Sequence, residues 1–104
     1  MHIHHVVPHT GGGVGAAIQN LIRTWPKRDS HSLTQLVSPI DDRCLAGIRK
    51  MNIRTTVSDD LGHLRDAIKS ADDILCHWWD TLQVEHVSSV LPPAKTYFWI
   101  HISG

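Results

Sequence analysis

The sequence has little of what usually announces a function. It holds two cysteines, one tyrosine, one phenylalanine and a single glutamate, Glu85. Cys44 and Cys76 are far apart and form no C-x-x-C pair, so neither a disulfide framework nor a thiol redox motif is present. Two buried thiols in a reducing compartment are expected, with the cytosol as the location. No apolar run approaches the ~18 residues that a membrane-spanning helix needs. Met1-His2-Ile3-His4-His5 has no basic stretch followed by an apolar one, so it does not read as a secretory leader. Neither charge is in excess, since Lys plus Arg and Asp plus Glu are 10 each, so no bulk attraction to nucleic acid or to a membrane surface follows. Repeats and low-complexity tracts are absent as well.

What is present is an ordinary globular composition with one oddity. A hydrophobic fraction of 41% over 104 residues suits one domain with a modest core. The oddity is nine histidines, which make the chain cationic in mild acid.

Strand and helix signals alternate along the chain. His2 to Pro8 is a short strand around Ile3, Val6 and Val7, and Gly11, Gly12, Gly13 and Gly15 follow it. Val14, Ala17, Ile18, Leu21, Ile22 and Trp25 then recur as one helical stripe, stopped by Pro26. His31 to Ser38 predicts a second strand. Asp41 and Asp42 suit the start of a helix bearing Cys44, Leu45, Ile48 and Met51. Ile53 to Val57 is β-branched and predicts a third strand. Asp59 or Asp60 caps a helix with Leu61, Leu64, Ile68 and Ala71, and Asp73 to Trp78 is a fourth strand. Asp80 with Gln83 resembles a capping box that opens a helix carrying Val84, Val87, Val90 and Leu91. Pro92-Pro93 ends that helix, and Lys95 to Ile102 is the fifth strand.

Such alternation with short loops predicts right-handed crossovers: an α/β fold with a doubly wound parallel sheet of about five strands in the order 3-2-1-4-5. A further helix is expected to cover Tyr97, Phe98, Trp99 and Ile100, so the chain reads as part of a longer domain.

Ligands of open parallel sheets bind beyond the carboxyl ends of the strands, where the strand order reverses. In the order 3-2-1-4-5 the loops leaving strands 1, 4 and 5 meet there. These loops are His9 to Gly15, His77-Trp78-Trp79-Asp80 and His101 to Gly104. The glycines open a helix, so backbone N–H groups and the helix dipole can receive a phosphate or another polar oxygen. A tight turn without a ligand is the alternative. Gly11-x-Gly13-x-x-Ala16 matches a dinucleotide fingerprint formally, but Leu36-Val37-Ser38-Pro39 stands where a ribose-binding acid is required.

The histidines divide by position. His2 and His4 share one face of the first strand and His5 takes the other, so no metal set forms and none is expected. His31 and His63 lie near element starts and are expected in solvent. His86 sits in the last helix. His77 and His101 end adjacent strands and are candidates for chemistry, or else hydrogen-bonded histidines at the sheet edge. Trp78-Trp79 offers an apolar wall for a sugar or lipid, or contributes to the core. Asp80 is most simply a helix cap.

Three stretches together resemble one family. H-V-V-P-H-T-G-G-G-V-G-A-A-I-Q-N-L, from His5 to Leu21, resembles the opening of family 4 glycosyltransferases of the GT-B fold. The stretch Asp72 to Trp79 resembles their fourth strand ending in histidine, and Lys95 to Gly104 resembles the strand ending in a histidine near the acceptor. The resemblance spans the chain as the first part of an N-terminal Rossmann-like domain. It implies transfer of a sugar from a nucleotide-sugar donor to a carbohydrate or lipid-linked acceptor, with retention and without a bound metal or other cofactor. Gly12 and Gly13 would then lie against the donor phosphates or the reacting centre, His101 near the transferred sugar as the catalytic residue, and His77 along the same cleft. The family's paired-glutamate motif would belong to a separate C-terminal domain, because Glu85 stands alone here. Residues 1–104 by themselves are therefore expected to be inactive. Alternatives are the nucleotide-binding domain of a sugar epimerase or dehydrogenase, or a small interaction module that docks a partner on its last strand.

Overall fold

A computed structural model describes residues 1–10, 13–37, 43–78 and 81–100. Five parallel strands form one sheet: β1 (His2–Val7), β2 (Ser30–Gln35), β3 (Arg54–Val57), β4 (Asp73–Trp78) and β5 (Thr96–Ile100). Their order is β3-β2-β1-β4-β5, as the alternation predicts, and β1 is the central strand. Between them run α1 (Gly13–Thr24), α2 (Arg43–Arg49), α3 (Leu61–Ile68) and α4 (Thr81–Ser88). The fold is α/β, doubly wound and Rossmann-like.

Alternation along β1 divides the core in two. Val7 packs with Ile18 and Ile22 of α1, Leu33 of β2, and Leu45 and Ile48 of α2. Val6 faces the other way, toward Leu64 and Ile68 of α3, Val87 of α4, and Ile74 and Cys76 of β4. Successive side chains of a strand point to opposite faces, so adjacent valines serve both layers. Each fully buried aliphatic side chain here contributes roughly 1.5–3 kcal/mol.

Local signals set the element ends. Asp60 caps α3, its carboxylate accepting from the Gly62 N–H at 3.1 Å. Lys95 reaches the other end of that helix and donates to the Ala71 carbonyl at 2.7 Å, where the dipole favours a cation. Asn52 takes a left-handed conformation (φ 61°) in the turn between α2 and β3, which asparagine tolerates better than most residues.

Several expectations are corrected. The β2 ladder closes at Gln35, not Ser38, although Leu36 and Val37 still donate to the Val7 and Pro8 carbonyls. Lys95 ends a short 3-10 turn, Pro93–Lys95, and β5 starts at Thr96. Cys44 is half-buried, and Cys76 alone is fully buried. Asp41, Asp42 and Asp80, read as helix starts, lie outside the described residues. Tyr97 and Phe98 of β5 are exposed, at 59% and 49%. Among the described residues no helix is long and apolar enough to cross a membrane.

Candidate functional site

The strand order puts the carboxyl ends of β1, β4 and β5 side by side. Val6 pairs with Cys76, and Trp78 with Ile100. The order reverses between β1 and β4, where a parallel sheet opens a crevice. Of the residues expected there, Gly11, Gly12, Trp79 and His101 lie outside the described residues. Gly13 begins α1, and Trp78 ends β4.

Gly15 has a packing role. A Cβ on it would collide with the Cys44 Cβ and the Thr10 carbonyl oxygen, and would lie 2.9 Å from the Cys44 Sγ. A glycine is required there because α1 starts directly against α2 and the loop leaving β1. That loop is pinned beside it. Buried Thr10 donates from Oγ1 to Gln35 Oε1 at 2.8 Å, and Gln35 Nε2 donates to the Val37 carbonyl at 2.8 Å. Gln35 therefore occupies the end of β2, where a dinucleotide site needs an acid for the ribose.

His77 does not stand free at the sheet edge. It is fully buried on the α1 face, with its Nε2 3.1 Å from His5 Nδ1. His5 Nε2 is in turn 2.9 Å from His31 Nδ1. The ring centroids are 5.4 Å and 5.2 Å apart, with tilts of only 22° and 29°. These separations exceed the N···N distances by no more than two ring radii, so the imidazoles meet end to end, with the bonding nitrogens on the line between them. Trp25 closes one end, edge-on to His31 at 5.4 Å, and Trp99 lies 5.5 Å from His77 at the other.

Compared with models of protein families, with curated proteins and with solved structures, the chain matches none.

A second polar ladder runs on the opposite face of β1 and β2. His2 bonds Ser30 and Ser32 through its two ring nitrogens, and His4 bonds Ser32 and Thr34 through its own. Burial, with His2 and His63 nearby, lowers the His4 pKa to about 4. Burial pushes His5 well below the usual histidine range, reinforced by His77 and His31. Burial also lowers His31, though the Asp29 charge pulls the other way. The Cys76 thiol is raised to about 11 by burial, which makes it a poor nucleophile. Among the described residues no group of three or more histidine, cysteine or acidic side chains is arranged to hold a metal.

His31, expected in solvent, is thus half-buried and bonded to His5. No sequence signal announces this chain of three histidines. Alternation does put His5 on the face away from His2 and His4, but the register that brings His31 and His77 to it is a property of the folded sheet. His63 is exposed as expected, and His86 is exposed with Nε2 2.8 Å from the Asp59 carbonyl.

Proposed function

We propose that this chain is the acceptor-side, Rossmann-like part of a glycosyltransferase that moves a sugar from a nucleotide-sugar donor to a carbohydrate or lipid-linked acceptor in the cytosol. The observation that carries the reading is the switch point. The sheet order reverses between β1 and β4, and the glycine-rich segment runs from the first of these strands into α1. The family resemblance of three stretches, in this order along the chain, supplies the reaction class. Gln35 ends β2 and no acid follows it among the described residues up to Val37, which favours a sugar nucleotide over a nicotinamide dinucleotide.

In this reading the backbone N–H groups at the start of α1 receive polar oxygens of the donor or acceptor, and Trp78 and Trp79 offer aromatic surface to a sugar. His101 is the catalytic residue, holding the transferred sugar or the acceptor hydroxyl. The electrostatic groups that stabilise a departing nucleoside diphosphate come from a second domain.

The test uses the intact gene product from its source. Its mass is expected to be that of a two-domain protein, on the order of 300 residues. His101→Ala in that protein is expected to abolish sugar transfer while donor binding persists. Transfer at an unchanged rate in the His101→Ala protein would remove the proposed catalytic role. Turnover by residues 1–104 alone would contradict the two-domain reading.

A further inference from the structure

The three end-to-end histidines cross the sheet on a diagonal. His31 pairs in register with Ile3, His5 with both Leu33 and Leu75, and His77 lies two residues beyond Leu75. Each step therefore moves one strand across and two residues along, from the amino edge at β2 toward the carboxyl edge at β4. At the amino edge His31 lines a solvent-open cleft of about 470 Å³, together with Trp25, Asp29 and Asn52. His5 and His77 are sealed from solvent.

The hydrogen-bond inventory of imidazole leaves this chain little freedom. A neutral imidazole has one N–H and one lone pair, so central His5 must donate through one nitrogen and accept through the other. Only two neutral arrangements satisfy both contacts. In the first, every ring is protonated at Nδ1: His31 donates to His5 and His5 donates to His77. In the second, every ring is protonated at Nε2 and both bonds run in reverse. Opposite tautomers at the two ends would force two lone pairs or two N–H groups to face each other, or else a second proton onto His5, and burial opposes that cation.

We propose that His31, His5 and His77 form a proton relay linking the solvent cleft at the amino edge of the sheet to the carboxyl edge, where the candidate site lies. A proton enters at His31 Nε2, the His31 Nδ1 proton crosses to His5 Nε2, the His5 Nδ1 proton crosses to His77 Nε2, and the His77 Nδ1 proton passes to a basic oxygen or nitrogen of the reactant at the carboxyl edge. One proton goes in and one comes out. The chain ends neutral, in the second tautomer arrangement, and transfer in the opposite direction restores the first. The charged group beside the entry of the relay is Asp29, which accepts from Trp25 Nε1 and from the amino terminus, while His2 and His4 act on the relay only through the sheet, from the opposite face of β1. The relay would serve any acid–base step at the carboxyl edge and does not rest on the sugar-transfer reading.

Nitrogen-15 NMR of the histidine side chains tests it. All three rings are expected to share one tautomer at neutral pH, and finding His31 and His77 in opposite tautomers overturns the relay. In deuterated water the His5 ring proton is expected to exchange far faster than the backbone amide of neighbouring Val6, because deuterons reach it through His31. His31→Phe is expected to abolish that fast exchange while leaving the Val6 amide unchanged. A His5 ring proton no faster than the Val6 amide in the unsubstituted protein also overturns the relay, whether or not the variant folds.

Discussion

Nδ1 of His5, in the central strand, lies 3.1 Å from Nε2 of His77 in the next strand, and neither ring has access to water. Two imidazoles in this position share one proton comfortably and two poorly, because the second charge would be both desolvated and beside a like group. The same sheet holds His4, buried on the other face among hydroxyls. This core is built for neutral histidine.

The first prediction is acid lability in a window where carboxylates stay ionised. Burial above all, with His2 and His63 nearby, holds His4 down to about 4 in the fold against the ordinary 6.5. Below the ordinary value the unfolded chain binds more protons than the folded one, so stability is full above about pH 7 and falls as the pH drops toward 4. His4 alone is worth roughly 3 kcal/mol over that fall, and His5 acts in the same direction. Urea unfolding is expected to show a clearly lower midpoint at about pH 5 than at about pH 7.5. Equal midpoints would mean that these histidines are not held neutral.

Replacing His5 by phenylalanine separates packing from hydrogen bonding. The ring volume is kept, but His77 Nε2 and His31 Nδ1 lose their partner. The variant is expected to lose roughly 1–3 kcal/mol at neutral pH, the cost of orphaned buried polar groups. Its stability should also depend less on pH between 7 and 5, since one suppressed proton site is gone. Denaturant curves at the two pH values read both effects.

Gly15→Ala goes against helix propensity. Within a helix alanine is ordinarily better than glycine by about 1 kcal/mol. Here the new Cβ meets the Thr10 carbonyl and the Cys44 side chain, and the backbone oxygen cannot swing aside. A net loss of roughly 1–3 kcal/mol is expected. Cys44→Gly in the same chain should relieve part of the crowding, giving a positive coupling in a double-mutant cycle by thermal or urea unfolding.

Gln35 ties the loop after β1 to the end of β2. Gln35→Leu leaves the Thr10 hydroxyl and the Val37 carbonyl without the partners seen here, and is expected to cost roughly 1–3 kcal/mol. Thr10→Val in the same chain should cost less than it does alone, because the hydroxyl no longer has an acceptor to lose. Amide exchange at Val37 is expected to quicken in the Gln35→Leu chain, since that residue's carbonyl is one of the anchors.

Much of this architecture was legible in the residues. The stripe from Val14 to Ile22, the β-branched runs and the breaks at Pro8 and Pro26 fix the alternation, and alternation with short connections admits few sheet orders. Val6 and Val7 could be assigned to opposite layers from strand parity alone. What sequence could not supply was register. His5, His31 and His77 are separated by tens of residues, and only the pairing of Ile3 with His31 and of His5 with Leu75 aligns them. The role of Gly15 was hidden for a related reason. A glycine needed for close approach of two helices looks, in sequence, like one more glycine of a ligand loop.

Chemical-shift mapping is the direct test of the proposal that the carboxyl edge receives a sugar nucleotide or its acceptor. The intact gene product, labelled with nitrogen-15, is titrated with a panel of nucleotide sugars and, separately, with NAD. Shifts are expected with a nucleotide sugar and not with NAD, clustered on Thr10, Gly13, Gly15, His77 and Trp78. Shifts with NAD alone, or shifts confined to the amino edge around His31 and Asn52, would contradict the claim.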